Sequence, residues 1–305
     1  MGRKLSRKGG FLMFKLSLGV MAYNEEKNIG RLLNAVIEQK FCNDQLLEIF
    51  VVASGCTDRT AEIVQEFSHR DSRIKLLIQE RREGKASAIN LFLEHASGDI
   101  VLLESGDTIP DIGTFQLLVK PFYVENVGMT GAHPVPVNEE DTFVGFVVNL
   151  MWNLHHKVAM KTPKLGELVA FRNIVRAIPS DTAVDEASVE AIIRESGYEL
   201  CYVPEAVVRN KGPENIKDFL KQRRRIAAGH KHLIQEKSYE VSTSNPLKIL
   251  SFLLEEPPRG FKFTAWTVGA ICLEAIGRFL GYYDFYIKKR NPYIWEIASS
   301  TKKLS

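Results

Sequence analysis

Cysteine is scarce in this 305-residue chain, and the four present lack a pattern: Cys42, Cys56, Cys201 and Cys272 stand far apart with no CxxC spacing. That excludes a cysteine-built zinc site and a disulfide framework, and it fits a reducing compartment. Internal repeats and low-complexity stretches are also missing, so solenoids and long disordered linkers drop out. No charge sign dominates: 40 basic against 37 acidic residues leave a formal net charge of +3, and no nucleic-acid partner is expected. The opening MGRKLSRKGGFLMFKLSLGV imitates a secretory signal, yet Lys15 interrupts its apolar stretch and no small-residue cleavage site follows. A clean spanning segment is missing as well. The most apolar late stretch, 265–295, is broken by Glu274 and Arg278, an i,i+4 pair.

What is present describes a globular protein with a substantial core: 45% apolar and 25% charged residues. Residues 1–13 form a basic arm, with Arg3, Lys4, Arg7 and Lys8 and no acid among the first ten, suited to a solvated tail or a weak anchor on anionic lipid. Met1-Gly2 with Ser6 matches the loose myristoylation pattern. From residue 14 the chain alternates. FKLSLGVMA (14–22), LEIFVVAS (47–54), IKLLIQ (74–79) and VLLES (101–105) read as buried strands. Helical spacing occupies 27–39, 60–67 and 86–95. Such β-α-β order predicts a mostly parallel sheet with helices on both faces, and ligands beyond the carboxyl ends of its strands. The polar stretches collecting there are YNEE, SGCTD, RREGK and ESGD. Further on, the pattern predicts a strand at 128–137, a helix over 143–161, a strand-like segment at 165–175, a helix from 185 stopped by Gly197, another strand, and a basic helix over 219–234. The divisions expected are an α/β body at 14–235, with a break near 115–116, and a helical extension at 236–305.

LSLGVMAYNEEKNIGRLL, VVASGCTDRTAEIV, RREGKASAIN, ASGDIVLLESGDTIP, VDEASVEAIIRESGYELCYVPEA and QRRRIAAGH occur in that order. Together they resemble a family 2 glycosyltransferase of the GT-A fold over roughly residues 16–235. The resemblance implies transfer of a sugar, with inversion, from a nucleotide-diphosphate sugar to a lipid-linked or glycan acceptor. It also implies Mg²⁺ or Mn²⁺ as cofactor, with 14–115 the nucleotide-sugar half and 116–235 the acceptor half. Ala22, Tyr23, Asn24 and Glu25 take the places that hold the nucleotide; a helix cap is the structural alternative for Asn24 and Glu25. Ser54 and Asp58 belong to the second strand's turn, where Ala53 replaces the family's base-reading Asp and leaves the base open. Arg82 and Lys85 are diphosphate candidates, with Gly84 letting backbone approach a ligand.

At the end of the strand in VLLESGDTIP, the family's Asp-x-Asp becomes Ser105-Gly106-Asp107. Asp107 is then the one firm metal ligand, assisted by Ser105 or Glu104, although strand alternation predicts that Glu104 points to the other face. The acceptor base falls on Glu186, with Asp185 the alternative, since the family's Glu-Asp is inverted here. Gln222 and Arg225 fall near acceptor and diphosphate; Ile226 replaces an aromatic expected to stack on sugar. His230 is within the same helix. Residues 265–295, with Tyr282, Tyr283, Phe285, Tyr286, Tyr293, Trp295 and Lys288-Lys289-Arg290, read as an interfacial belt or as a helix packed on the catalytic domain. The first of these places the chain at the cytoplasmic face of a membrane, in peripheral contact. Two alternatives stay open: a degenerate binding protein, motivated by Ala53, Ser105 and Ile226, and a nucleotidyltransferase, for which YNEE supplies no Gly-rich loop.

Overall fold

The computed structural model describes residues 6–8, 11–241, 246–255, 260–294 and 299–302. Met1-Gly2 and Trp295 lie outside them. Two short strands, β1 (Ser6–Lys8) and β2 (Phe11–Met13), pair antiparallel, so part of the basic arm is a hairpin.

The body alternates as its hydrophobic pattern predicts. In chain order come β3 (Lys15–Ala22), α1 (Ile29–Ile37), β4 (Gln45–Ser54), α2 (Thr60–Arg70), β5 (Ile74–Gln79), α3 (Lys85–His95), β6 (Ile100–Ser105), β7 (Thr108–Pro110) and α4 (Thr114–Val119). There follow β8 (Val127–Pro136), α5 (Phe143–Lys161), β9 (Val169–Arg172), α6 (Asp185–Glu195), β10 (Glu199–Asn210), α7 (Ile216–Lys237), α8 (Pro246–Glu255) and α9 (Phe261–Tyr286). Strands β3 to β10 make one sheet in the order β5-β4-β3-β6-β9-β8-β10-β7. The β5-β4-β3-β6 half is parallel throughout. The other half is mixed: β9 runs antiparallel to β6 and β8, and β7 antiparallel to β10. The parallel expectation holds for the β5-β4-β3-β6 half. It fails for β9 because a strand inserted between β6 and β8 must take whichever direction its connections allow. Pro110 ends the edge strand β7, a position where a missing N–H costs no ladder bond.

Two cores form on the two faces. Leu16, Leu18 and Val20 alternate inward toward Ile29, Leu32, Leu33 and Val36 of α1, at i, i+3, i+4 and i+7. Met21, Phe50 and Val52 face α3, whose Phe92 is fully buried. Gly19 permits that approach: a Cβ there would sit 2.3 Å from the Phe92 ring. Helix α7 begins three residues before the predicted start because Asn215 caps it, accepting from the Asp218 N–H at 2.9 Å.

Candidate active site

The carboxyl ends of β3, β4 and β6 open into a cleft of about 980 Å³, closed on its far side by α6, α7 and the segment after α9. It is lined by Ala22, Tyr23, Glu25, Ser54, Arg82, Lys85, Ser105, Asp107, Asp185, Glu186, Gln222 and Arg225, all of them singled out from sequence. Two others lie elsewhere. Asn24, at φ 53°, spends its side chain on the neighbouring turn, with the Thr57 N–H donating to Oδ1 at 2.8 Å. Asp58 accepts from the N–H groups of Glu26 and Thr60, both at 3.0 Å. Neither lines the cleft. They fasten the YNEE turn to the SGCTD turn, and so place Tyr23 and Glu25.

On the donor side, the Arg82 guanidinium stacks 4.3 Å from the Tyr23 ring centre. Gly84 adopts φ +99°, a region open to glycine, and opens α3, which begins with Lys85. The Lys85 ammonium lies 2.7 Å from Glu186 and 3.5 Å from Asp185. Burial alone would pull this lysine down, but the two carboxylates outweigh it and the net displacement is upward. The acids divide accordingly. Burial pushes Asp185 up, whereas the Lys85 charge and hydrogen bond outweigh burial at Glu186 and hold it well below the usual carboxylate range. Arg225 is drawn down by burial and drawn back by the charges of Asp185, Glu186, Glu167 and Asp107. It thus lies within electrostatic reach of four acids of the cleft. His230 also lines the cleft, and burial lowers it to about 3, so it stays neutral.

The end of β6 resolves its acids as alternation requires. Asp107 and Ser105 line the cleft. Glu104 does not: it is 1% exposed, and its carboxylate accepts from the Thr108 hydroxyl. Burial pushes it up to about 8. Its suggested help with a metal is therefore a correction: Glu104 is a core acid below the sheet edge.

A carboxylate unseen in the sequence stands in its stead. Glu167, at φ 60°, lines the cleft just before β9, accepts from the Asn210 amide at 3.3 Å, and is raised to about 7 by burial and by the charges of Asp107 and Glu186. The last β6–β9 ladder pair is Leu103–Val169, so continuing the register sets Glu167 opposite Ser105. Its signal would have been the antiparallel β9, which the βα periodicity hides. Arg223 and Arg224, beside Arg225 in the sequence, also line the cleft but pair with acids of α9. Arg223 holds Glu274 at 2.6 and 2.8 Å, and Arg224 holds Asp284, both on α9.

The oxygen set Asp107, Ser105 and Glu167 suits a hard divalent cation. Among the described residues no group of three or more His, Cys, Asp or Glu is arranged to hold a metal by itself. A cation here would take its remaining ligands from the substrate.

A probable glycosyltransferase of Bacillus subtilis, YdaM, is 27% identical over 72% of this chain and 56% of its own length. A dolichyl-phosphate beta-glucosyltransferase of Trichomonas vaginalis is 41% identical over 34% of this chain and 33% of its own. The chain thus spans about half or less of these relatives. The mannosyltransferase PcManGT of Pyrobaculum calidifontis, solved with GDP-Man and Mn2+, superposes with a TM-score of 0.61 at 20% identity, over 96% of this chain and 85% of that one. This likeness carries the fold, a GT-A α/β sheet with a helical extension. The sequence profile described as glycosyl transferase family 2 matches residues 17–184, more than half of the chain, and the protein belongs to that family.

Proposed function

We propose that this chain transfers a sugar, with inversion, from a nucleotide-diphosphate donor to a lipid-linked or glycan acceptor. One observation carries the reading: Asp107, Lys85 and the Asp185–Glu186 pair, from three distant parts of the sequence, line one cleft. Tyr23, Glu25 and Arg82 would receive the nucleoside, and Lys85, Arg82 and Arg225 the diphosphate. Asp107, with Ser105 and Glu167, would hold Mg²⁺ or Mn²⁺, which supplies Lewis-acid stabilisation of the leaving diphosphate.

Glu186 fits the base better than Asp185, because reach precedes basicity. Its side chain is 21% exposed against 4% for Asp185. Lys85 keeps it ionised, ready to take the acceptor hydroxyl's proton as that oxygen attacks the anomeric carbon. Asp185 then orients Lys85.

The acceptor side supports a lipid surface. Helix α9 is long and apolar enough to cross a membrane by length and composition, but α7 packs along it and carries Arg225 into the cleft. A spanning α9 would drag that polar helix into hydrocarbon. The reading is therefore a helix lying in the plane of the membrane face, with Phe261, Val268, Ile276, Phe279 and Tyr286 exposed.

The test is release of nucleoside diphosphate from a panel of sugar nucleotides, with and without Mn²⁺. Asp107→Asn and Glu186→Gln should each lower turnover by about 10³. Full turnover in both variants sinks the reading. Binding without turnover in the unaltered chain leaves the degenerate binding protein suggested by Ala53 and Ser105.

A further inference from the structure

Pro292, Tyr293, Ile294, Thr301 and Lys302, all after α9, line the cleft. Asn291 donates its amide to the Asp181 carbonyl at 2.7 Å, in the loop ahead of α6. The Tyr293 carbonyl lies over Gly84, where an added Cβ would stand 3.1 Å from it. Ser300 donates its hydroxyl to Asp218 at 2.7 Å, in the first turn of α7. Beyond it, Lys302 reaches the end of β3. Its ammonium donates to the Tyr23 carbonyl at 2.8 Å and pairs with the Glu25 carboxylate. The Asn28 amide holds the Lys302 carbonyl at 3.2 Å and the other Glu25 oxygen at 2.9 Å. Residues from four separate parts of the fold thus anchor this segment, and its last contact falls on the turn assigned to the nucleoside.

Glu25 needs such a partner. It is 4% exposed, and the Asp107 charge bears on it. Burial and the Asp107 charge push Glu25 up to about 7, and the Lys302 charge and hydrogen bond oppose that rise. Asn28 supplies one amide hydrogen bond and no charge. Lys302 supplies the charge, while Arg82 on the same Tyr23 ring is directed to the ring's face.

We propose that Lys302 is a positioning residue of the donor subsite, holding the Glu25 carboxylate and the Tyr23 carbonyl in the arrangement that receives the donor's nucleoside. The proposal rests on the glycosyl-transfer reading and adds a determinant outside residues 17–184, the family-matched span. The ammonium acts through Glu25 and has no part in the transfer itself. Because the Asn28 contact is to the Lys302 main chain, replacing the side chain leaves the segment anchored.

The experiment is calorimetric titration of the full chain with UDP and with GDP in the presence of Mn²⁺. It compares the unaltered protein with Lys302→Ala, Lys302→Arg, Glu25→Gln and the Lys302→Ala/Glu25→Gln double variant; thermal melts confirm folding. Lys302→Ala should weaken binding of the preferred diphosphate roughly tenfold. Lys302→Arg should restore most of it. The double variant should bind no worse than Glu25→Gln alone, as expected for two residues acting through one contact. With a sugar nucleotide that turns over, Lys302→Ala should raise KM and leave kcat nearly unchanged. Equal or tighter binding by Lys302→Ala overturns the proposal, as does an additive loss in the double variant. If the unaltered chain binds neither diphosphate, the donor-site reading falls and takes this proposal with it, an outcome distinct from normal binding indifferent to Lys302.

Discussion

The sheet and α9 place their apolar atoms on opposite sides. In the β3 to β6 layer the rule is the ordinary one: Leu16, Leu18, Val20, Ile100 and Leu102 are fully buried. Along α9 it reverses. The buried positions are Thr267, Ala270, Gly277, Gly281 and Asp284, Glu274 pairs with both Arg223 and Arg278, and Trp266 and Leu273 pack on α5. The glycines let the α7 backbone come close; a Cβ at Gly281 would meet the Arg224 carbonyl at 2.5 Å. The outward face holds Phe261 at 91% exposure, Phe279 at 68% and Val268 at 57%. Lys262 and Lys288-Lys289-Arg290 mark its two ends. Large apolar side chains on the exposed face of a helix suit an apolar surface, which is the placement proposed for α9. The sheet edge gathers the charged side chains of the cleft, and α9 leaves an apolar stripe exposed.

The strongest way to break this contrast is to make one change in both regions. Phe92→Ala opens the α3 core and should cost about 3–5 kcal/mol in denaturant unfolding. Phe279→Ala removes the same side chain and should stay within about 0.5 kcal/mol. Comparable losses at both positions would mean that α9 has a protein partner. The companion double variant Ile276→Asp/Phe279→Asp should abolish flotation with anionic vesicles and leave unfolding unchanged. If it floats as well as the unaltered chain, or if gel filtration shows a dimer that it dissolves, the membrane reading is lost.

Glu274→Ala is a milder probe of the inverted face. It removes the carboxylate shared by Arg223 and Arg278, both partly exposed, and should cost about 2 kcal/mol, less than a fully buried pair would. The smallest effect concerns Glu104. Its carboxyl is held up at about 8 by burial, so the folded chain keeps a proton that the unfolded chain releases near the ordinary carboxylate value. Stability contributed by this group therefore falls as pH rises between those values. Glu104→Gln should flatten that slope and raise the melting temperature at pH 8 by a few degrees; an unchanged slope would show that Glu104 is ionised throughout.

Much of the donor half was legible because its strands are buried on both faces and its helices carry a regular 3.6-residue stripe. Alternation alone turned Glu104 away from Asp107. The site was harder to read. Asn24 and Asp58 have the residue types of ligand contacts, yet short loops offered them backbone N–H groups closer than any substrate. Glu167 and Lys302 have no local signature. One depends on an antiparallel strand inserted between parallel ones, the other on a contact across 277 residues.

Periodicity was enough to specify a mostly parallel α/β sheet and the edge at which its polar turns gather, because these follow from local spacing, while six ordered motifs carried the resemblance to the family. Which acids share a cleft, which arginine of Arg223-Arg224-Arg225 faces them, and which cation stands beside Glu25 were decided only when distant segments packed. Charge interactions depend on distance and burial in three dimensions, and neither is written in the order of residues.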